Sequence, residues 1–347
     1  MVRLSRAETQ ERNRAKVLAA ARDEFARRGF REAKIDVIAD RAELTRGAVY
    51  SNFPGKRALY FAVLADLAER APRPATPPAD AGAADVLAAF ARAWVARLPL
   101  ATDSDSEDTR LARDLLPEVL ADEHTRRPFA QLTRVNAILL GLALERVRPG
   151  RRLVRVAEAA LTTLHGASQL AAAAPGFGEP FHLVTACAAL LDLGLSDVWP
   201  AVPPITTQAR PTDEPWRPPS AVDLLTGEAI RPGDGVVTVL GLHRASAFEE
   251  AVRAGADVTA VLVTSDPGEL APLARLAVAD LRGCLDQAIA PPDHPRLRIL
   301  CDAGGAFAAA AGITAVSDAT EAAVRVEGGR IVARAEGFGA CHAAATG

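Results

Sequence analysis

The hydrophobic period of this 347-residue chain changes once, and that change limits what it can become. Up to about residue 198 the apolar residues recur at helical spacing. Beyond about residue 221 they gather into short β-type runs, near 236–240, 258–264, 297–300, 322–326 and 331–333. The change marks the boundary between an all-helical part and one that mixes strands with helices. Between them, residues 199–220 are rich in proline and read as an interdomain linker. The length alone suggests two or three domains. The expected division is 1–70, 71–198, the linker, and 221–347.

The charge is divided along the same lines. Residues 1–57 hold fourteen Lys/Arg against eight Asp/Glu, whereas residues 221–347 hold ten against sixteen, although the whole chain is only -3. A basic end on a near-neutral chain suits a polyanion partner for that end alone; the plain alternative is a solvated helix face. At 49% hydrophobic and 24% charged residues the chain is too apolar for wholesale disorder. No apolar run is long enough to span a bilayer, and the charged first residues do not read as a secretory signal, so a cytoplasmic protein is expected. Cys187, Cys284, Cys301 and Cys341 lie far apart with no C-x-x-C spacing, which argues against a zinc ribbon, a dithiol centre or a disulfide framework.

In the first segment the stripe Val17, Leu18, Ala21, Phe25 predicts a helix over 8–28 that stops at Gly29. A short helix over 35–41 follows, and Thr45 is a good N-cap for a third through Phe53. Pro54-Gly55 breaks the chain before a fourth helix near Lys56. Two short helices joined through Ala42-Glu43-Leu44-Thr45, with Ile38, Leu44, Val49 and Phe53 as core, form a helix-turn-helix that would place the Thr45 end in a DNA major groove. Thr45 can meet a phosphate and Arg46 can reach a base edge or the backbone. Gly47 and Ala48 leave room for the groove wall, Tyr50, Ser51 and Asn52 offer hydrogen bonds, and Lys56 can sit on a phosphate.

Ile38-Ala39, the run Thr45-Arg46-Gly47-Ala48-Val49-Tyr50-Ser51-Asn52-Phe53, Lys56 and Tyr60-Phe61 closely resemble the DNA-binding domain of the TetR family of transcriptional regulators, across some fifty residues. The resemblance implies a homodimeric repressor on a palindromic operator in double-stranded DNA, released by a small-molecule effector. By the same resemblance the DNA-contacting residues are Thr45, Arg46, Gly47, Tyr50, Ser51, Asn52 and Lys56. Lys34 joins them where the family often has a phosphate-binding threonine. Glu43 stands where the family usually has a turn glycine, so a left-handed backbone there is expected to be strained. Arg3 and Arg6 could form a minor-groove arm, although disordered terminal arginines are the simpler expectation.

Residues 82–198 read as all helix, with periodic runs near 83–98, 107–121, 127–147, 151–173 and 181–197. The last two are so rich in Ala and Leu that a paired-helix dimer interface is their natural outlet. This segment has the length of the family's ligand-binding and dimerisation domain. Trp94, Asn136, His165 and Gln169 are polar or aromatic groups on its apolar stripes and are candidate effector contacts; ordinary packing or helix–helix bonds would account for each singly.

Residues 221–347 alternate strand and helix and end in a hairpin at Glu327-Gly328-Gly329-Arg330, which predicts an α/β domain with a mixed sheet. Leu297-Arg298-Ile299-Leu300-Cys301-Asp302 and the hairpin loosely resemble thioredoxin-like and peroxiredoxin-like domains. Such enzymes carry a reactive cysteine just after the strand matching 236–242. Here Gly241-Leu242-His243-Arg244 has none, so a catalytically silent domain is expected. Redox sensing through Cys284, Cys301 and Cys341, or a degenerate enzyme, are the alternatives. The six histidines show no metal-ligand spacing and no nucleotide or nucleophile motif is present, so neither an enzyme nor a metal or cofactor is expected.

Overall fold

A computed structural model describes residues 5–72, 74, 77, 81–98, 111–174, 176–195, 207–290 and 294–347, without the side chains of Arg6 and Ala7. Arg3 and the side chain of Arg6, the residues considered for a minor-groove arm, lie outside the described residues.

Helix α1 (Arg6–Glu32) starts at a capping box in which Ser5 and Glu8 satisfy each other's backbone N–H groups. Gly29 breaks it where the sequence places a stop, and a short helical piece follows to Glu32. With φ 70° the glycine kinks the helix, and the freed N–H of Phe30 donates to the Asp114 carboxylate at 2.6 Å. Helices α2 (Ile35–Arg41), α3 (Arg46–Asn52) and α4 (Lys56–Arg70) fall where the periodicity places them. From Ala58 to Ala65 helix α4 is buried on every side, and the Tyr60 hydroxyl donates to the carbonyl of Leu111.

Helices α5 (Ala83–Val95), α6 (Leu115–Leu120), α7 (Glu123–Val147), α8 (Val154–Ala173) and α9 (Pro180–Ala189) follow in the helical part. Helices α7 and α8 approach closely at Gly141, where a Cβ would lie 2.7 Å from Val154 Cα. Helix α9 buries only Cys187, and Leu170, Phe177, Phe181 and Leu193 at this end of the chain are exposed.

The third part is an α/β domain around a six-stranded mixed sheet. Its strands are β1 (Arg210–Pro215), β4 (Gly235–Gly241), β5 (Val258–Val263), β6 (Leu297–Cys301), β7 (Glu321–Glu327) and β8 (Arg330–Glu336), in the order β1-β8-β7-β4-β5-β6. A separate two-stranded ribbon pairs β2 (Ala221–Val222) with β3 (Ala229–Ile230). Strands β4, β5 and β6 are parallel, and β7, β8 and β1 add antiparallel. Every residue of β5 is buried, as a central parallel strand covered on both faces requires. Helices α10 (Phe248–Arg253), α11 (Leu270–Ala288), α12 (Ala306–Ala310) and α13 (Ala340–Thr346) flank the sheet.

Two differences from the sequence reading matter. Residues 210–215 were expected to be linker but form the edge strand β1. Its prolines, Pro211 and Pro215, suit an edge where half the backbone N–H groups need no ladder partner, and Trp216 just beyond it is buried. The sheet domain is also not suspended from a tether. Alternate residues of β4 and β5 divide the core: Val237, Val239, Val261 and Val263 face a small cluster with Trp216 and Phe307. Val236, Leu240, Val258 and Leu262 belong to one continuous core that includes α11 and the helical part. Helix α11 packs against α4, α5 and α7.

Candidate nucleic-acid interface

The site is built on the turn between α2 and α3. Leu44 N–H bonds back to the Ala39 carbonyl at 3.0 Å and Glu43 N–H to Asp40 at 3.1 Å, so the chain reverses within three residues. That geometry forces Glu43 to φ 56°, and among the described residues it is the one non-glycine residue with positive φ. The strain expected from a missing turn glycine is therefore present. Its carboxylate meets Lys16 of α1 at 2.9 Å in an exposed pair, and the hydrogen bond from Lys16 holds the Glu43 pKa below the ordinary value. Thr45 then caps α3, accepting from Ala48 N–H at 3.2 Å.

Val49 and Phe53 face inward and are buried. The guanidinium of Arg14 in α1 lies 4.4 Å over the Phe53 ring and donates to the Asn52 carbonyl at 3.3 Å. A cation on the last carbonyls of a helix complements its dipole, and here it also fixes the inclination of α3 against α1. The outward face carries Thr45, Arg46, Gly47, Tyr50 and Ser51, all exposed. Arg46 pairs with Asp36 at 3.3 Å and lies 5.6 Å from the Tyr50 ring centre; both partners are exposed, so the pair is weak enough to yield to a phosphate. Ser51 and Asn52 both donate to the Ala48 carbonyl, at 2.9 and 2.8 Å. A Cβ on Gly47 would meet only Thr45 Oγ1, at 3.9 Å. The domain itself therefore has room for a side chain at this position.

Lys34 is exposed at the N-cap position of α2 and makes no capping bond. Lys56 is placed differently from the free ammonium the sequence suggests. It donates to the Arg31 carbonyl at 2.9 Å over the Phe30 ring, and burial lowers its pKa. Next to it, Arg57 joins all three parts of the chain: it stands in the first turn of α4, pairs with Asp122 at 3.2 Å and with Glu269 of the sheet domain at 2.6 Å. Sequence reasoning missed Arg14 and Arg57, since each is one arginine among many until the fold supplies its partners.

Residues 17–63 match the family profile of bacterial regulatory proteins, tetR family. The N-terminal domain is of the tetR type. Over 65 residues the chain is 43% identical to the uncharacterized HTH-type transcriptional regulator TtgW of Pseudomonas putida, covering 19% of this chain and 48% of that one. The chain thus spans about half the length of this curated relative. Among solved structures, a candidate TetR-family transcriptional regulator from Rhodococcus sp. aligns at a TM-score of 0.35 and 16% identity, covering 52% of this chain and 97% of that one. A second, from Mesorhizobium loti, aligns at 0.28 and 17% identity, covering 55% and 96%. The tetR-type domain holds the exposed α3 face described above.

The four candidate effector contacts do not converge. Trp94 and His165 meet edge to face at 4.9 Å, with Trp94 Nε1 donating to Ser168 at 3.0 Å and Phe129 beyond His165 at 6.4 Å. Burial lowers the His165 pKa. Asn136 points elsewhere: its amide donates to the Ala277 carbonyl of α11 at 3.1 Å, so it ties the helical part to the sheet domain. Gln169 is exposed. The cysteines are free thiols, and burial raises them all, Cys187 and Cys284 to about 11, Cys301 to about 12 and Cys341 well above the ordinary thiol value. Among the described residues no cluster of three His, Cys, Asp or Glu side chains could hold a metal, and no helix is long and apolar enough to cross a membrane.

Proposed function

We propose that the chain is a DNA-binding transcriptional regulator and not an enzyme, acting as a homodimeric repressor of a palindromic operator that a small-molecule effector releases. The observation that carries the reading is the outward face of α3, where Thr45, Arg46, Gly47, Tyr50 and Ser51 are exposed together on a helix whose opposite face is locked by Val49, Phe53 and Arg14. Phosphate contacts from the basic domain give affinity, and base-edge contacts from α3 specify the site. Two heads held about one DNA turn apart make the second contact effectively intramolecular. The exposed Leu170, Phe177, Phe181 and Leu193 at the α8–α9 end give such a dimer an uncovered apolar surface. We read the sheet domain as thioredoxin-like and catalytically silent, because the turn after β4 holds His243 and Arg244 and no thiol.

A redox-responsive regulator finds less support. Raised thiols are protonated at neutral pH and react slowly with peroxide. The test is a gel shift of the full chain on the DNA flanking its own gene. Saturable, competitor-resistant binding that Tyr50→Ala and Arg46→Ala weaken at least tenfold without changing the thermal midpoint is the expected result. Binding that is indifferent to both substitutions refutes the assignment of α3.

A further inference from the structure

A cavity of about 610 Å³ opens where the tetR-type domain meets the sheet domain. Arg14, Asn52 and Glu69 line it from the first side, and Arg275, Arg282 and Cys301 from the second. It lies beyond the carboxyl ends of the parallel strands β5 and β6, the position at which open α/β sheets offer loops and helix starts to a ligand.

Its charge is unbalanced. Three guanidinium groups share the cavity with one carboxylate, Glu69, and that carboxylate is already engaged by Arg275, whose Nε lies at 2.8 Å. Arg282 is more than nine-tenths buried, yet its partners are the carbonyls of Leu224 and Glu69, each at 3.2 Å. Arg14 has the Asn52 carbonyl and the face of Phe53. Neither Arg14 nor Arg282 forms an ion pair among the described residues. A buried cation served only by carbonyls, as Arg282 is, is costly; at half-buried Arg14 burial and then the like charge of Arg275 lower the pKa against a smaller opposing pull from Glu11 and Asp66. The rest of the wall is apolar, including Leu224, Ala271 and Pro272.

We propose that this cavity binds a small organic anion, a carboxylate or phosphate head on a short hydrocarbon body, with the head between Arg14 and Arg282 and the body against Leu224 and Pro272. The site is separate from the Trp94–His165 cluster of the helical part. Because Arg14 holds the end of α3, an anion that bridges Arg14 to α11 ties the reading head to the sheet domain and cancels positive charge beside the DNA-binding face. Operator affinity then falls, and DNA weakens anion binding by the same factor. This last consequence rests on the DNA-binding reading above; the binding itself does not.

Calorimetric titration of the full chain at fixed ionic strength, with hexanoate, hexyl phosphate and the neutral hexanamide, tests the site. Saturable binding of at least one anion, and none of hexanamide, is expected; the tighter of the two identifies the head group. Arg14→Gln and Arg282→Gln should each weaken it at least tenfold. Glu69→Gln, which frees Arg275 from its competing carboxylate, should tighten it several-fold, a gain that misfolding cannot produce. Absence of saturation by both anions, equal binding of hexanamide, or an unchanged or weaker Glu69→Gln variant overturns the proposal. Anion binding without any loss of affinity for the duplex identified by gel shift removes only the coupling to DNA.

Discussion

Two glycine-to-alanine substitutions in helix interiors should move stability in opposite directions, and the structure gives the reason for each sign. At Gly283, inside α11, an added Cβ has nothing within 4 Å. Alanine there gains its helix preference, about 0.8–1 kcal/mol over glycine, with no opposing contact. At Gly141, inside α7, the same atom would lie 2.7 Å from both Cα and Cγ2 of Val154 and 2.9 Å from its backbone N. Ordinary contact begins near 3.4 Å, so α7 and α8 must separate by roughly 0.7 Å over a core that includes Leu140, Leu144 and Ala157, all buried. Overpacking of this kind costs about 1–3 kcal/mol, which exceeds the helix gain. The net expectation is a stabilisation of about 1 kcal/mol for Gly283→Ala and a loss of on the order of 1–2 kcal/mol for Gly141→Ala. Urea unfolding followed by far-ultraviolet circular dichroism reads both as shifts of the midpoint at constant slope. Gly141→Ala with a raised midpoint would refute the argument, because it would show that the α7–α8 contact has slack.

Further substitutions probe the turn, the buried histidine and the domain junction. Glu43→Gly should raise the urea midpoint by relieving the left-handed backbone at φ 56°, whereas Glu43→Ala, which keeps the strain and loses the exposed Lys16 pair, should not. Burial depresses His165 in the folded chain, so the unfolded chain takes up the proton first; stability is intact above about pH 6.5 and is lost as pH falls from there through the lower pKa of the folded chain. His165→Phe should flatten that loss in acid titrations of the thermal midpoint, and the remainder falls to His243, which is likewise lowered by burial and then by Arg127. At Gly268 a Cβ would sit 2.7 Å from Pro54 Cγ, in the turn between α3 and α4, so Gly268→Ala should change DNA affinity in the gel shift more than it changes the thermal midpoint.

The tetR-type domain was legible in the sequence because its signals are local. An N-capping threonine, a helical stripe and a four-residue turn act within ten residues of one another, and even the strain at Glu43 follows from one residue type in one turn. The strands of the sheet were legible for the same reason, since β4, β5 and β7 are runs of buried valine and alanine with strong punctuation. Strand β1 was not. Arg210-Pro211-Thr212-Asp213-Glu214-Pro215 has the composition of a linker, and only the antiparallel ladder offered by β8 makes it a strand. Asn136 illustrates a different limit: its place on an apolar stripe showed that its polar group needed a partner, but the partner is a carbonyl 141 residues away on α11.

That distant partner shows how the three parts act together. The helical part presents to α11 the apolar face that a free-standing helical domain would have to cover by itself, and α11 carries the polar contacts that fix the fit: Arg275 to Glu69, Arg97 to Asp280, and Asn136 to the Ala277 carbonyl. The loop leading into α11 reaches the reading head at two points, Gly268 against Pro54 and Glu269 against Arg57. Because α4 connects the head to the helical core, any shift of α11 acts on α4 along its packed face and on the α3–α4 turn at its end. Close-packed interiors transmit such shifts and do not absorb them. The position of α4 is therefore set jointly by the helical part and by the sheet domain packed against it.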